Sequence, residues 1–440
     1  MTDYFQSFPI DTIGELTADL LTRVYRSQTV LPDEALSPAV IAESPWETDQ
    51  IADYFRMLID SSTGLVSGDM MGHMDTAPHP IAAFSDALVT ALNNNLLFRE
   101  LSPFASRVEE MLVDELAVRV GLDGDWQGTF VSGGSVANLT ALFAATGGFK
   151  GVEQRSQYRF LLPACAHASL TKSLAVLGVG ANQIVRLPSD AQGRSNAEDL
   201  EQALRESPGP HTIVVGVLGS TVHGAVEDVA TVAKLCRQHE AWLHVDAIYG
   251  GALAFSKRNR DYLQGLSLAD SVVVGPQKWM YTPRLSALIW IRGSDRFAQT
   301  LGTELPYSAT GESHRGQWGL QGSRRADAVT LYAVLCAMGT NALGELIDSR
   351  IDLCRQFHNH LADDEHLFPT HHPDLNLQCF AFREPNSVDL DAVHARLGRQ
   401  GVPWVSLSKW GDRRLLRAVI LSPNTDDLQL QKLLTALHSR

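Results

Sequence analysis

Two charged residues in the sequence lie where short apolar runs end. Asp246 closes an apolar run that begins at Trp242, and Lys278 follows a second apolar run, 271–274, after a short turn. Apolar runs of this length between turn signals are typical of buried strands. In α/β proteins, ligands bind at the carboxyl ends of parallel strands, so we expect the carboxylate and the amine to share one site.

A buried lysine and a buried carboxylate at neighbouring strand ends predict chemistry with pyridoxal 5′-phosphate (PLP). The Lys278 amine would form a Schiff base with the aldehyde of the cofactor. Asp246 would keep the pyridine nitrogen protonated, so that the ring can accept electrons. The predicted cofactor is therefore PLP, with Lys278 and Asp246 as its first two protein partners.

A glycine-rich turn supplies a candidate phosphate site. A short β-rich run, 129–131, meets Gly133, Gly134 and Ser135, and a helix rich in alanine and leucine follows. Glycines let the backbone approach an anion, and a helix N-terminus offers unpaired N–H groups. Taken alone, the turn fits a plain strand–helix connection better. Together with the downstream lysine and carboxylate, it favours Gly134 and Ser135 as phosphate ligands, with Asn138 as a neighbour.

Two segments resemble the motifs of the group II PLP-dependent amino acid decarboxylases. They are HVDAIYGG at 244–251, against the family pattern HVDAA(Y/W)GG, and GPQKW at 275–279, against (D/N)PHKW. The resemblance runs through most of the chain from about residue 72. It implies the PLP-dependent transferase fold type I, which is aspartate aminotransferase-like, and a homodimer. It also implies loss of the α-carboxylate of an L-amino acid as CO₂, leaving an amine, through the Schiff base on Lys278.

A third segment carries the same resemblance. His167, Ser169 and Lys172 match the family pattern H-x-S-x-x-K residue for residue. In that family the histidine stacks on the cofactor ring and contacts the region of the reacting carboxylate, which implies the same role for His167. The alternative is a histidine that caps a helix or lies in the core. We expect Lys172 on a helix surface or near the phosphate, not as a second catalytic amine.

Two further residues are candidates with open alternatives. Thr221 follows a buried strand and could reach the ring or the phosphate through its hydroxyl, although a turn that only shapes the loop fits equally well. Tyr307 lies in a passage rich in glycine and serine, 302–322, which is long enough for a lid. In the family, a mobile loop here carries a tyrosine that protonates the carbanion. The alternative for Tyr307 is an ordinary surface or interface tyrosine.

The sequence departs from the family motifs at three positions, the first of which is Gly275 in place of Asp or Asn. Gln277 stands where the family has histidine, and Ile248 stands where a small alanine packs under the ring. Glutamine donates a hydrogen bond to phosphate but carries no charge. The departures keep open another PLP reaction on the same scaffold: decarboxylation-coupled oxidative deamination, transamination or condensation. A non-catalytic PLP-binding relative is a further alternative, and the sequence does not identify which amino acid is the substrate.

Three residues outside these motifs are weaker candidates. His73 and Thr76 lie in a loop, 67–80, that resembles a loop on the substrate side of some bacterial family members. The histidines of this loop do not form a metal-binding pattern, so no metal is predicted. Arg417 lies in a segment that resembles the C-terminal signature of the family, and it could bind a substrate carboxylate or form a structural ion pair.

The alternation of strand and helix patterns between 129 and 274 predicts an α/β fold with a large, mainly parallel sheet covered on both faces. We expect three parts along the chain. They are an N-terminal arm at 1–68, a large PLP-binding domain at 69–325 and a small C-terminal α+β domain at 326–440.

Composition narrows the class of protein. The chain has 440 residues, of which 45% are hydrophobic, and a formal net charge of −14, which argues against nucleic acid or anionic membranes as partners. The cysteines are scattered and form no C-x-x-C pair, as in reduced thiols of the cytoplasm. No signal-peptide pattern or membrane-spanning run is present. We expect a cytoplasmic protein, and the family resemblance implies a homodimer whose small-molecule substrate is an amino acid.

Overall fold

The computed structural model describes residues 10–27, 31, 45–303, 314–385, 388–399 and 402–439. These residues form a seven-stranded sheet and a four-stranded sheet, with helices packed against both. The predicted proton donor Tyr307 lies outside the described residues.

The seven-stranded sheet has the strand order β1-β7-β6-β5-β4-β2-β3. Its strands are β1 (Trp126–Val131), β2 (Arg159–Pro163), β3 (Ile184–Leu187), β4 (Thr212–Val217), β5 (Trp242–Ala247), β6 (Ser271–Val274) and β7 (Ala287–Arg292). Neighbours from β3 across to β6 pair in parallel, whereas β7 pairs antiparallel with both β6 and β1. The predicted α/β class with a large, mainly parallel sheet is confirmed.

Helices precede the sheet and cover its two faces. They are α1 (Ile10–Arg26), α2 (Thr48–Asp60), α3 (Pro80–Leu92), α4 (Pro103–Val120), α5 (Gly134–Ala145), α6 (Ala168–Val176), α7 (Ala197–Glu206), α8 (Val229–Gln238) and α9 (Arg296–Leu301). Between β5 and β6 the chain makes three short 3₁₀ turns in place of an α-helix.

The C-terminal part carries the antiparallel four-stranded sheet, in the order β10-β11-β9-β8. Its elements are α10 (Asp327–Met338), α11 (Thr340–Ala362), β8 (Leu367–Pro369), β9 (Leu377–Phe382), α12 (Leu390–Arg396), β10 (Ser406–Trp410), β11 (Arg413–Val419) and α13 (Asp427–His438). The predicted domain boundaries at 68/69 and 325/326 stay predictions.

Burial explains why the central strands read as continuous apolar runs. Every residue of β4 and β6 is buried, because helices cover both faces of a parallel sheet. The turn from β1 into α5 depends on Gly133, whose φ of +85° lies in the left-handed region that favours glycine. These two features put the start of α5 beside the carboxyl ends of the parallel strands.

The loop that follows α2 ties the two sheets together. Met71 donates its backbone N–H to the Trp404 carbonyl (2.9 Å) and accepts from the Val419 N–H (2.8 Å). A side chain at Gly72 would overlap the Trp404 ring, since a Cβ there would lie 1.7 Å from it. The loop is therefore held against β11, and it delivers the next residues, from His73 onward, to the carboxyl edge of the large sheet.

In the described part of the chain, no single helix is both long and apolar enough to cross a membrane. The helices α10 and α11 meet that test of length and composition only as a pair, and the pair is bent by 85°.

Candidate active site

A cavity of about 330 Å³ opens at the carboxyl ends of β4, β5 and β6. This volume is in the range of small-molecule sites. The main catalytic and cofactor-binding candidates that the structure describes all line it, namely Gly134, Ser135, His167, Thr221, Asp246, Gln277 and Lys278. Their roles stay predictions, but strands, loops and a helix start that are far apart in the sequence meet in this one place.

Lys278 enters the cavity from the turn after β6. Its side chain is only 19% exposed, and its Nζ donates to the Met74 carbonyl at 2.9 Å. Asp75 Oδ1 lies 3.5 Å from Nζ and also pairs with Arg284 at 2.8 Å. Burial lowers the pKa of Lys278 below its ordinary value, and the Asp75 carboxylate opposes part of that shift. A lowered pKa increases the fraction of neutral, nucleophilic amine near pH 7.

Asp246 stands near the end of β5 and is 7% exposed. Its carboxylate accepts hydrogen bonds from Asn138 Nδ2 (2.9 Å) and from the backbone N–H of Ile248 (3.1 Å). In the described part of the chain, no lysine or arginine forms an ion pair with it. A buried carboxylate that has only neutral donors is a site for a cationic group of a ligand, such as a protonated pyridine nitrogen.

His167 caps the start of a helix, as one of the two interpretations of the sequence held, and it also lines the cavity. Its Nδ1 accepts the Ser169 backbone N–H at the start of α6 (3.2 Å), and the Ser169 hydroxyl lies 2.8 Å away. The remaining nitrogen, Nε2, is thereby left for the cavity. The predicted ring-stacking role of His167 stays a prediction.

The start of α5 lines the end of the cavity where we expect the phosphate. Gly134 and Ser135 are the first residues of this twelve-residue helix, whose N-terminal N–H groups have no partners within the helix. Gln277 faces the same end, and its Oε1 accepts the Ser286 N–H at 3.1 Å. The Gln277 amide nitrogen is thus the end available to donate to a phosphate.

Asn138, predicted as a neighbour of the phosphate ligands, is hydrogen-bonded to other residues of the site, and its place beside a phosphate stays a prediction. It lines the cavity, but its amide nitrogen donates to Asp246 and to Ser169 Oγ (3.1 Å), and its Oδ1 contacts His244 Nε2 (3.0 Å). Asn138 lies one helical turn after Gly134. Its contacts with Asp246 and His244 show that its side chain points at strand β5, below the helix start.

Sequence reasoning missed Asp75, which contacts the lysine from a loop about two hundred positions earlier in the chain. Of the two loop candidates, His73 lines the cavity and Thr76 does not. Arg417 also lines it, and its guanidinium donates to the Thr221 carbonyl at 2.9 Å. The signal in the sequence that could have drawn attention to Asp75 is its position two residues after the candidate His73.

The donor set of this cavity fits PLP. A buried amine suits the aldehyde, an unpaired carboxylate suits the pyridine nitrogen, and a glycine-led helix start suits the phosphate. The fold and the site together define a PLP-dependent enzyme of fold type I.

Comparison with known proteins gives the family. Residues 33–383 match the model of the pyridoxal-dependent decarboxylase conserved domain. The chain belongs to this family, whose cofactor is PLP and whose members are carboxy-lyases acting on amino acids.

Similar proteins include L-2,4-diaminobutyrate decarboxylase of Rhizobium meliloti, 28% identical over 83% of this chain and 76% of that protein. Mouse cysteine sulfinic acid decarboxylase is 28% identical over 77% of this chain and 72% of that protein. The chain spans a smaller share, 58%, of the mouse acidic amino acid decarboxylase GADL1, to which it is 29% identical over 69% of its own length.

Solved structures share the fold. The crystal structure of mouse CSAD in apo form has a TM-score of 0.88 at 23% identity and covers 98% of this chain and 97% of that one. The structure of Oryza sativa TDC with PLP and tryptamine also has a TM-score of 0.88, at 21% identity, with 98% and 96% coverage.

Gly134→Ala is expected to weaken PLP binding about tenfold. A Cβ at this position would lie 3.0 Å from Ile248 Cγ1 and 3.1 Å from its Cδ1, so Ile248 would have to shift into the cavity. Overpacking of this kind costs roughly 1–3 kcal/mol. The dissociation constant of PLP, from an absorbance titration, measures the effect.

The matched control is the double variant Gly134→Ala with Ile248→Ala, in which the crowded side chain is removed. It should recover most of the lost affinity. Equal weakening in the single and double variants would show that contact with Ile248 is not the cause.

Proposed function

We propose that the protein removes the α-carboxylate of an L-amino acid, giving an amine and CO₂, with PLP held on Lys278. The observation that carries this proposal is a buried guanidinium, Arg417, which shares the cavity with the buried amine and forms no ion pair with a carboxylate of the described residues. A cation of this kind is suited to hold the carboxylate that is lost.

Arg417 is 8% exposed and lies in β11. It donates only to main-chain carbonyls, Thr221 at 2.9 Å and Gly72 at 3.4 Å, and its buried Nε has no partner in the described part of the chain. Burial lowers the pKa of Arg417 from its ordinary value, and nearby groups that include the Asp75 carboxylate oppose only part of that shift. The structural ion pair that the sequence left open is not formed by the described residues.

When bound, PLP would supply an electron sink that takes up the electrons left at the Cα of the substrate. The protein residues prepare that bond for cleavage. Arg417 holds and orients the departing carboxylate, and Asp246 keeps a proton on the pyridine nitrogen. His167 packs against the ring face and presents its Nε2 to the same region. Lys278, with its lowered pKa, supplies the neutral amine for attachment of the cofactor.

The return of a proton to Cα needs an acid on the face that CO₂ leaves. Tyr307 is our candidate on the basis of the family resemblance. Its loop lies outside the described residues, so no distance supports it.

Arg417→Gln should raise KM for the amino-acid substrate about 100-fold, because truncating one partner of a buried, hydrogen-bonded charge pair costs roughly 2–5 kcal/mol. Affinity for the amine product, which lacks the carboxylate, should not change. Steady-state assays of CO₂ release over a panel of amino acids, with product-inhibition constants, measure both.

Arg350→Gln is the control, since Arg350 likewise donates to main-chain carbonyls (Ser422 at 3.0 Å, and Thr425) but does not line the cavity. It should leave KM unchanged. A KM for Arg417→Gln equal to that of the wild type would contradict the proposal, and an aldehyde as the main product would favour the alternative PLP chemistry.

We propose further that the protein is a cytoplasmic homodimer. Between α1 and α2 lies an apolar groove of about 390 Å³, lined by Ile13, Leu16, Leu20, Leu21, Val24, Ile51, Phe55, Leu58 and Ile59. Phe55 and Leu58 are 38% and 52% exposed. A groove lined by so many apolar side chains favours a second subunit that covers it, as the family resemblance implies. The five cysteines form no disulfide with one another, which fits a reducing compartment.

Leu58→Glu is expected to dissociate the dimer, because it places a charge on the face that the partner would cover. Light scattering on a sizing column measures the mass. Leu428→Glu, on the exposed side of α13, is the control and should leave the dimer intact. A wild-type mass of one chain would contradict the proposal.

A further inference from the structure

The Asn138 amide lies directly behind two groups of the cofactor site. Asn138 is 1% exposed, and its Nδ2 donates to Asp246 Oδ2 (2.9 Å) and to Ser169 Oγ (3.1 Å). An ionised carboxylate only accepts hydrogen bonds, so the amide nitrogen must face Asp246 and the amide oxygen must face away. The orientation of this side chain is therefore determined by its partners.

The oxygen of that amide faces a buried histidine. His244 is fully buried, and its Nε2 lies 3.0 Å from Asn138 Oδ1. Burial lowers the pKa of His244 to about 4, so the ring is neutral near pH 7. Because the amide oxygen only accepts, Nε2 must carry the proton and Nδ1 must accept. The acceptor contacts Ser271 Oγ at 3.0 Å, and that oxygen in turn accepts the Trp242 indole N–H at 3.1 Å.

The second N–H hydrogen of the Asn138 amide determines how Ser169 and His167 are hydrogen-bonded. Ser169 Oγ accepts from Asn138, which leaves the hydroxyl hydrogen to donate to His167 Nδ1, 2.8 Å away. The Ser169 backbone N–H donates to the same nitrogen. Nδ1 of His167 is thus the acceptor, which makes Nε2, toward the cavity, the nitrogen that carries a proton.

These hydrogen bonds run in one direction, from Trp242 through Ser271 and His244 to Asn138, where they divide toward Asp246 and His167. Reversing His244 or the amide would bring two acceptors face to face in a buried site, which is unfavourable. If Asn138 only filled space, its neighbours would not need to be arranged so that each donor meets one acceptor in this order.

We propose that Asn138 is a positioning residue of the cofactor site, oriented by His244, and that its single amide fixes both the orientation of the Asp246 carboxylate as an acceptor and the donor pattern of His167. The roles of Asp246 and His167 toward the cofactor rest on the proposed function. The order of the hydrogen bonds does not, because it is a property of the protein without its cofactor.

The first test measures tautomers in the cofactor-free protein. Nitrogen NMR of ¹⁵N-histidine-labelled protein at pH 7, with the His244 signals assigned by their loss in His244→Gln, should show a neutral ring protonated at Nε2. A ring protonated at Nδ1, or at both nitrogens, would overturn the proposal. This result needs no variant at Asn138 and no bound PLP.

The second test uses Asn138→Asp, which keeps the shape of the side chain and replaces its donor by an acceptor. PLP should dissociate about tenfold more readily or worse, the effect of losing one hydrogen bond to a charged group. The His244 signals should also shift, since a carboxylate now faces its Nε2. PLP affinity equal to that of the wild type would overturn the proposal.

Thr140→Val is the control, because Thr140 is buried on the same helix and its hydroxyl donates to the Val136 carbonyl at 2.7 Å, its one hydrogen bond among the described residues. Its PLP affinity and His244 signals should match the wild type. Should the wild-type protein bind no PLP, the proposed function fails, and the tautomer of His244 still decides whether the amide is oriented as proposed.

Discussion

Burial of the Asp246 carboxylate without a cationic partner is the constraint on which the site depends. Removing a carboxylate from water is costly unless hydrogen bonds or a counter-charge replace the lost hydration. Here the described residues supply two neutral donors, the Asn138 amide and a backbone N–H. The carboxylate is thus held in place while its charge remains available, and a protonated pyridine nitrogen complements it.

The two sheets contribute different parts of the site. The large sheet brings Asp246 and Lys278 to its carboxyl edge, and α5 begins beside them. The small sheet contributes Arg417 from β11, and the loop held against that strand contributes His73 and Asp75. The protein groups that would hold the cofactor therefore come from the rigid parallel sheet. The proposed carboxylate site forms only where the two sheets meet.

Much of this arrangement could be predicted from the sequence, because strand ends and the glycine turn are local signals. Asp246 and Lys278 follow apolar runs, and parallel strands must bring their ends together. The hydrogen bonds of Asn138 to Asp246 and His244 could not be predicted, because a helical residue can face the ligand or the sheet below it, and only packing decides which. Asp75 and the main-chain partners of Arg417 depend on long-range contacts that leave no local pattern.

The central claim is that Lys278 holds PLP in this cavity, and a visible absorbance spectrum tests it most directly. Purified wild-type protein and Lys278→Ala would be titrated with PLP and then with a panel of amino acids. We predict a lysine-dependent band in the wild type that is absent from the variant, and that one amino acid perturbs while CO₂ and its amine appear. No such band in the wild type, or the same band in both proteins, would contradict the account.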